Sequence, residues 1–182
     1  MRLFVALSLP EDVRERLDML DSGLPGARWV AAENLHLTLR FLGEVDSAQA
    51  RDLDDTLSAI DAPGFALTLQ GLATFGDGAK VRALYADVAP NPALLHLQAK
   101  VESAVARAGL PLERRKFKPH VTLARFKGDP GPKLGHYLGQ HGLLRIGPFP
   151  VDHFLLYSSL LGAEGPHYTE EVVYDLERVG VV

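Results

Sequence analysis

The chain has 182 residues, a formal net charge of −4 at pH 7, and apolar and charged fractions of 47% and 23%. These values are ordinary for a globular protein, and the length suits one domain spanning residues 1–182. The acidic balance excludes a protein that coats nucleic acid through bulk positive charge. The chain has no cysteine, which excludes disulfides and thiolate catalysis and fits a reducing compartment, so we expect a cytoplasmic protein.

The N-terminal residues combine one positive charge with a short apolar run. That run is only about seven residues long and has no small-residue cleavage site, so a signal peptide is disfavoured. Its alternation instead predicts a first strand over residues 3–9. No segment of the sequence approaches the roughly 20 uninterrupted apolar residues that a membrane-spanning helix needs. We therefore expect no membrane partner.

Apolar periodicity predicts the remaining elements in chain order. A first helix opens at Pro10, Ser47 is expected to cap the second, Asn91 caps the third, and a short helix spans 133–140. Strands are predicted over residues 35–41, 65–72, 81–88, around His120, 151–160 and 167–176. Helices and strands mix without strict alternation, which predicts an α+β fold with antiparallel or mixed sheets.

Two strand-like segments carry the same short motif. The residues NLHLTL at 34–39 recur as KPHVTL at 118–123, so His-x-Thr-Leu appears twice, 84 residues apart. Composition predicts about 0.2 chance copies of His-x-Thr, because the chain has few His and Thr residues. Positions i and i+2 of a strand point the same way. We therefore expect each His and its Thr to share one face while the residue between them enters the core.

Two imidazoles, each beside a hydroxyl, suit acid–base attack on a phosphate ester. One group must take a proton from the nucleophile, and another must give one to the leaving oxygen. Imidazole titrates near pH 6.5, so one ring can be neutral while the other is protonated. Thr hydroxyls can donate hydrogen bonds to phosphate oxygens. His36 and His120 are therefore the candidate catalytic pair, and Thr38 and Thr122 are candidate phosphate ligands.

Competing interpretations of the same residues are less well supported. We find no H-x-x-x-H or H-E-x-x-H spacing and no acidic residue inside either motif, so we expect neither a metal nor another cofactor. The sequence also lacks G-x-S-x-G and a P-loop. Structural roles are expected for the other histidines, which are His96, His136, His141, His153 and His167.

Basic residues cluster around the second motif. The segment 114–118 holds four of them, and Arg125 and Lys127 follow His120. Such a run is often only a solvated surface. Because this one brackets a candidate catalytic residue, local attraction of a phosphate is an equally good interpretation.

These motifs resemble those of the two-histidine phosphoesterase superfamily, most closely its LigT-like branch of RNA 2′,3′-cyclic phosphodiesterases, first described as 2′-5′ RNA ligases. The resemblance covers nearly the whole chain. It rests on RLFVAL at 2–7, ENLHLTLRFLGEV at 33–45, KPHVTLAR at 118–125 and FLLYSS at 154–159.

The resemblance implies a bilobal α+β fold with pseudo-twofold symmetry and one cleft lined by both motif strands. It also implies hydrolysis of a terminal RNA 2′,3′-cyclic phosphate to a 2′-phosphomonoester, with His36 as proton donor and His120 as base. Thr38 and Thr122 would bind the phosphate, and a joining reaction on tRNA halves would be a secondary activity. Arg125 is implied to lie near the phosphate. It is five positions from His120, so simple alternation requires a bulge or strand end to turn it inward.

Two other functions remain open. One is a cyclic phosphodiesterase acting on a small nucleotide, such as an ADP-ribose cyclic phosphate. The other is a non-catalytic module that binds RNA ends through the basic segment 114–118. The expected partners are RNA ends carrying a 2′,3′-cyclic phosphate, with no obligatory protein partner.

Overall fold

The computed structural model describes residues 1–178; residues 179–182, the end of the predicted domain, lie outside the described residues. The strands are β1 (Arg2–Ser8), β2 (Ala27–Trp29), β3 (His36–Glu44), β4 (Phe65–Phe75), β5 (Ala83–Val88), β6 (His120–Phe126), β7 (Arg145–Val151), β8 (His153–Gly162) and β9 (Gly165–Asp175). The helices are α1 (Glu11–Asp18), α2 (Ser47–Ser58), α3 (Pro92–Arg107) and α4 (Pro132–His141), with single 3₁₀ turns at Ala32–Asn34 and Gly78–Lys80. Among residues 1–178, none of the helices has the length and apolar character required to cross a membrane.

The strands form two sheets. One has the order β3-β1-β8-β9 and the other β2-β6-β5-β4-β7. Every pair of neighbouring strands within them is antiparallel. The α+β prediction is therefore confirmed, with antiparallel rather than mixed sheets.

The two sheets repeat one arrangement, which makes the fold bilobal. The order β3-β1-β8-β9 matches β6-β5-β4-β7 strand for strand, and β2 is an extra edge strand on the second sheet. In both lobes the motif strand pairs with an earlier strand, and a helix lies between the two in the chain: α1 between β1 and β3, and α3 between β5 and β6. This match is the pseudo-twofold symmetry that the resemblance implies.

Alternation along the motif strands separates core from site. Leu37, Leu39, Val121 and Leu123 are buried in the main core, which also takes the apolar sides of α1, α2 and α3. Burying one such side chain stabilises the fold by roughly 1.5–3 kcal/mol. If a motif strand shifted its pairing register by one residue, its buried face and its site face would be exchanged. Burial of these leucine and valine side chains therefore fixes which side chains face the site.

Two strands were not predicted, and both lie at edges of the larger sheet. β2 has only three residues, too few for a period to appear. β7 contains Pro148 and Pro150, residues that break a strand pattern but are tolerated at an edge, where one side of the strand needs no hydrogen bonds. The strand predicted over 151–160 begins instead at His153, because Val151 ends β7.

The second helix begins differently from the prediction. Asp46, not Ser47, is the N-cap: its carboxylate accepts a hydrogen bond from the backbone of Gln49 at 2.8 Å. The Gln49 side chain accepts one from the Asp46 backbone at 3.0 Å, completing a capping box. The third helix begins as predicted, because Asn91 Oδ1 accepts from the backbone of Leu94 at 3.0 Å.

Candidate active site

The two motif strands come together where the sheets meet. Residues of β3 and β6 approach within 8 Å between Cα atoms, although they belong to different sheets. His36 and Thr38 are half-buried on one strand, as His120 and Thr122 are on the other. The predicted alternation is therefore present in both copies.

Each motif histidine is held by the backbone just before its strand. The Nδ1 of His36 lies 2.6 Å from the carbonyl oxygen of Asn34, and the Nδ1 of His120 lies 2.6 Å from that of Lys118. A carbonyl only accepts, so each Nδ1 carries the proton and donates it. In the neutral ring Nε2 then has a free lone pair, which is the form a general base requires.

A bulge interrupts β6 at the last residue of the second motif. Thr122 faces Tyr85 across the ladder and Ala124 faces Leu84, so Leu123 is an additional residue on one strand. Leu123 and Ala124 are consecutively buried, and Arg125 is exposed. The bulge shifts the alternation by one and turns Arg125 to the face of His120, as the sequence required.

The same irregularity occurs in β3. Thr38 faces Ala6 and Arg40 faces Val5, which leaves Leu39 as the additional residue. Arg40 is consequently buried at 8% exposure, and Phe41 takes the position that Arg125 has in the other lobe.

All five predicted site residues line one cavity of about 210 Å³, which we call the small cavity. They are His36, Thr38, His120, Thr122 and Arg125. Side chains that the sequence analysis did not select complete it, among them Arg28, Trp29, Asn34, Glu164 and Tyr168. Trp29 is the only tryptophan of the chain, and this rarity is the one sequence feature that could have marked any of them as a site residue. The hairpin residues at 164–168 come from the far end of the sequence and had no local signal.

A second cavity of about 720 Å³, which we call the groove, adjoins the small cavity. Both are lined by Thr38, His120 and Arg125, whereas His36 lines only the small one. The groove runs along Phe41 and the segment 115–118. Of the predicted basic segment, Arg115, Lys116 and Lys118 therefore face a cavity, and Arg114 does not line it.

Burial lowers the pKa of His36 below its ordinary value. The hydrogen bond to Asn34 opposes this, but the nearby charges of Arg125 and His120 lower the pKa further. The two rings therefore lie close enough for the charge of His120 to affect the protonation of His36.

The pKa of His120 is lowered for the same leading reason, burial. The hydrogen bond to Lys118 opposes it, Arg125 and the Lys118 charge lower the pKa, and Asp87 raises it. Arg125 therefore favours the neutral form of both imidazoles in the free protein.

Hydrogen bonding at Nε2 distinguishes the two histidines. Nε2 of His36 lies 2.9 Å from the Thr38 hydroxyl. We find no equivalent side-chain bond for Nε2 of His120 within residues 1–178. Both rings pack against aromatic side chains: His36 lies 5.0 Å from Phe4 and 5.4 Å from Tyr168, and His120 lies 4.9 Å from Phe75, between ring centroids.

A serine, a histidine and an aspartate are also bonded in series elsewhere. Ser8 Oγ lies 3.0 Å from Nε2 of His153, whose Nδ1 lies 2.5 Å from Asp152. These three residues line neither the small cavity nor the groove. They link β1 to β8, which fits the structural role expected for His153. Within residues 1–178, no three His, Cys, Asp or Glu side chains are grouped so as to hold a metal ion.

Comparison with known proteins extends this description. A family model described as the 2′-5′ RNA ligase superfamily matches residues 9–162. A Thermotoga maritima protein named RNA 2′,3′-cyclic phosphodiesterase is 31% identical over 191 aligned positions, covering 99% of this chain and 97% of that protein. The solved structure of Escherichia coli LigT with 3′-AMP is 30% identical with a TM-score of 0.79, covering 96% and 97% of the two chains. A structure from Thermus thermophilus is 29% identical with a TM-score of 0.80, covering 99% and 100%.

Fold and site together define a LigT-like α+β protein with paired His-x-Thr strands. The chain belongs to the 2′-5′ RNA ligase superfamily.

Proposed function

We propose that this protein is a metal-independent phosphodiesterase that hydrolyses the 2′,3′-cyclic phosphate at an RNA end to a 2′-phosphomonoester. The main support is one observation: His36 and His120 come from different lobes and line the same small cavity. Relatives that align over nearly the whole chain carry the name of this activity. Residues 1–182 would act as one domain, since the site needs both lobes.

In the proposed reaction, water attacks phosphorus opposite the 3′ oxygen. Nε2 of His120 takes a proton from the water as the new P–O bond forms. The P–O3′ bond breaks, and O3′ receives the proton of Nε2 of His36. The product is a 2′-phosphomonoester with a free 3′-hydroxyl, and each such proton transfer contributes about 10²–10⁴ to the rate.

The remaining side chains would stabilise charge. The Thr38 and Thr122 hydroxyls would donate to the non-bridging oxygens, where negative charge builds in the transition state. Arg125, turned inward by the bulge in β6, would attract the phosphate. The bond of Thr38 to Nε2 of His36 would be exchanged for one to substrate.

The lowered pKa values fit this division of roles. A neutral His120, favoured by burial and by Arg125, is ready to act as base. His36 must be protonated, which the free protein disfavours. A bound phosphate anion would offset the Arg125 charge and raise the pKa of His36, so the acid would become protonated as substrate binds.

Product analysis tests the proposal. An oligonucleotide ending in a 2′,3′-cyclic phosphate should be converted to the 2′-monophosphate, with the 3′ isomer absent, and EDTA should leave the rate unchanged. Binding of this oligonucleotide without conversion would instead support an RNA-end-binding module. Joining of cyclic-phosphate ends to 5′-hydroxyl ends, as on tRNA fragments in the cytoplasm, would be a secondary activity.

A small cyclic nucleotide is the second candidate substrate. The supporting observation is the size of the small cavity, about 210 Å³, below the roughly 300–1,000 Å³ of drug-sized ligand sites. Comparing kcat/KM for a cyclic mononucleotide, an ADP-ribose cyclic phosphate and a cyclic-phosphate oligonucleotide separates the two candidates.

A further inference from the structure

We propose that the groove binds the nucleotides that precede the cyclic phosphate in an RNA substrate. This assignment rests on the proposed function. The small cavity contains both catalytic candidates, and the groove begins at the three residues the cavities share, Thr38, His120 and Arg125. The groove has more than three times the volume of the small cavity. An RNA whose last nucleotide fills the small cavity would continue into it.

Charge in the groove opposes that of the whole chain. Six cationic side chains line it against two acidic ones, whereas the chain carries −4. The cations are Arg40, Arg82, Arg115, Lys116, Lys118 and Arg125. A positive strip on an acidic protein attracts a polyanion at one place and repels it elsewhere.

Half of these cations already have an acidic partner. Arg40 pairs with Glu102 at 3.0 Å, Lys118 with Asp87 at 3.1 Å, and Arg115 with Glu113 at 3.5 Å. Arg82, Lys116 and Arg125 make no ion pair within residues 1–178. Arg125 lies at the small cavity, and Arg82 and Lys116 are exposed along the groove. These two are free to contact phosphates further along a strand.

Aromatic side chains line the same groove. Phe41 is 50% exposed although it is large and apolar, and the partly buried Phe75 and Phe117 also line the groove. Alternating cations and exposed rings are how proteins hold single-stranded nucleic acid, since every base can stack on a ring. The guanidinium of Arg2, on β1, lies 5.6 Å from the centroid of the Phe41 ring and packs against it.

One wall of the groove is fixed before any ligand binds. Glu102 of α3 accepts from Arg40 Nε at 3.0 Å and from the backbone of Glu113 at 2.9 Å. Arg40 also donates to the carbonyl of Pro111. These bonds hold the start of the segment 113–118 against β3, so Lys116 requires little reordering to meet a phosphate.

Steady-state kinetics on two substrates test the assignment. The double variant Arg82→Glu with Lys116→Glu is compared on 2′,3′-cyclic AMP and on a hexanucleotide ending in a 2′,3′-cyclic phosphate. We expect kcat/KM on the hexanucleotide to fall at least tenfold, through KM, and kcat/KM on cyclic AMP to stay within twofold. The matched control, Arg51→Glu with Lys133→Glu, makes the same charge change at exposed positions outside both cavities and should leave both substrates unaffected.

Salt dependence gives a second readout. Each phosphate contact on a single strand contributes about 0.7 to the slope of log affinity against log salt. The slope of log kcat/KM for the hexanucleotide should therefore become shallower by roughly 1.4 in the groove variant, with no change in the control variant.

Several outcomes would overturn the groove assignment. One is a wild-type kcat/KM that is no higher for the hexanucleotide than for cyclic AMP. The others are equal losses of kcat/KM on both substrates in the groove variant, and a loss in the control variant as large as that in the groove variant. The assignment would also be overturned if the groove variant hydrolysed both substrates normally and lost only the joining of cyclic-phosphate ends to 5′-hydroxyl ends. The groove would then bind the strand that carries the 5′-hydroxyl. If wild-type protein converts neither substrate, the proposed function itself fails, and that result is distinct from all of these.

Phe41 allows a test that does not involve charge. The probe is a hexanucleotide that ends in a 3′-hydroxyl, and so cannot be hydrolysed, with 2-aminopurine as its second-to-last base. When it binds to the wild type, stacking of this base on the Phe41 ring should quench its fluorescence. Phe41→Ala should lose this quenching and weaken binding about fivefold or more. Equal quenching in both proteins would exclude base stacking on Phe41.

Discussion

β3 and β6 follow the same backbone course but carry different side chains after their motifs. Each anchors a histidine through Nδ1 to the carbonyl two residues before it, and each has a bulge one residue after its threonine. Beyond the bulge they differ: β3 continues with Arg40 and Phe41, and β6 with Ala124 and Arg125. Symmetry therefore supplies two similar imidazoles, and the residues after the bulges make the two sides of the site unequal.

The largest expected effect comes from removing either imidazole. His36→Ala and His120→Ala should each reduce kcat for a 2′,3′-cyclic nucleotide by about 10²–10⁴, because each deletes one proton transfer. His96→Ala, at an exposed position of α3, is the control and should retain full activity. Wild-type turnover in either motif variant would show that the repeat does not act as a catalytic pair.

Thr38→Val and Thr122→Val test whether the hydroxyls are equivalent. Each removes one donor to the phosphate and should reduce kcat by about 10². We expect similar losses at the two positions, because the bond of the Thr38 hydroxyl to Nε2 of His36, 2.9 Å in the free protein, is exchanged for one to substrate in the proposed reaction. Stopped-assay rates together with urea unfolding separate lost catalysis from lost stability. A clearly greater loss at Thr38 would mean that its bond to His36 persists in the substrate complex, contrary to the proposed reaction.

Arg125→Gln should shift the pH dependence. The proposed reaction requires one protonated and one neutral imidazole, so we expect kcat/KM to fall on both sides of an optimum. Burial and the charge of Arg125 lower the pKa of both histidines, which sets the wild-type optimum below about pH 6.5. Removing that charge raises both pKa values, and the whole profile should move to higher pH. Its maximum should fall about tenfold, because a charge-assisted phosphate contact is lost.

Arg28→Gln is the matched control for that shift. Arg28 lines the same small cavity but is not among the groups that change either histidine pKa. Its pH optimum should equal that of the wild type. A shift of similar size in this variant would mean that total cavity charge, and not the Arg125 position, sets the protonation of the pair.

Arg40→Met should have the smallest effect on turnover and a clear effect on stability. The variant leaves the partly buried Glu102 without its cation and should lower the free energy of unfolding by roughly 3 kcal/mol. Urea denaturation measures this, and kcat on a cyclic mononucleotide should stay within about twofold. The double variant Arg40→Met with Glu102→Met should recover part of the loss. A large fall in kcat would place Arg40 in the reaction, contrary to its role as an anchor.

The sequence correctly predicted which face of each strand carries the motif side chains, because period-two alternation is local. His36, Thr38, His120 and Thr122 could be assigned to one side of their strands without knowing the fold. Arg125 required a bulge, which no local pattern announces. The basic cluster around His120 indicated a charge there, but only the family resemblance placed Arg125 at the phosphate. The bulge became visible as a register shift against β5.

The cavity walls could not be predicted, because they are assembled from distant parts of the chain. Trp29 lies on a three-residue edge strand, and Tyr168 lies on the last hairpin. Arg82 has no neighbouring motif, and it reaches the groove only because β5 pairs with β6. Such residues become neighbours through sheet order, which the periodicity of one segment does not contain.

The acceptors for Nδ1 of His36 and His120 are peptide carbonyls rather than side chains. Replacing the Asn34 or Lys118 side chain would change the local chemistry but keep a carbonyl oxygen at each position. The tautomer of each ring is consequently insensitive to point substitutions around it. Mutational drift can thus remodel the neighbourhood, and with it the choice of substrate, while the orientation of both rings is preserved.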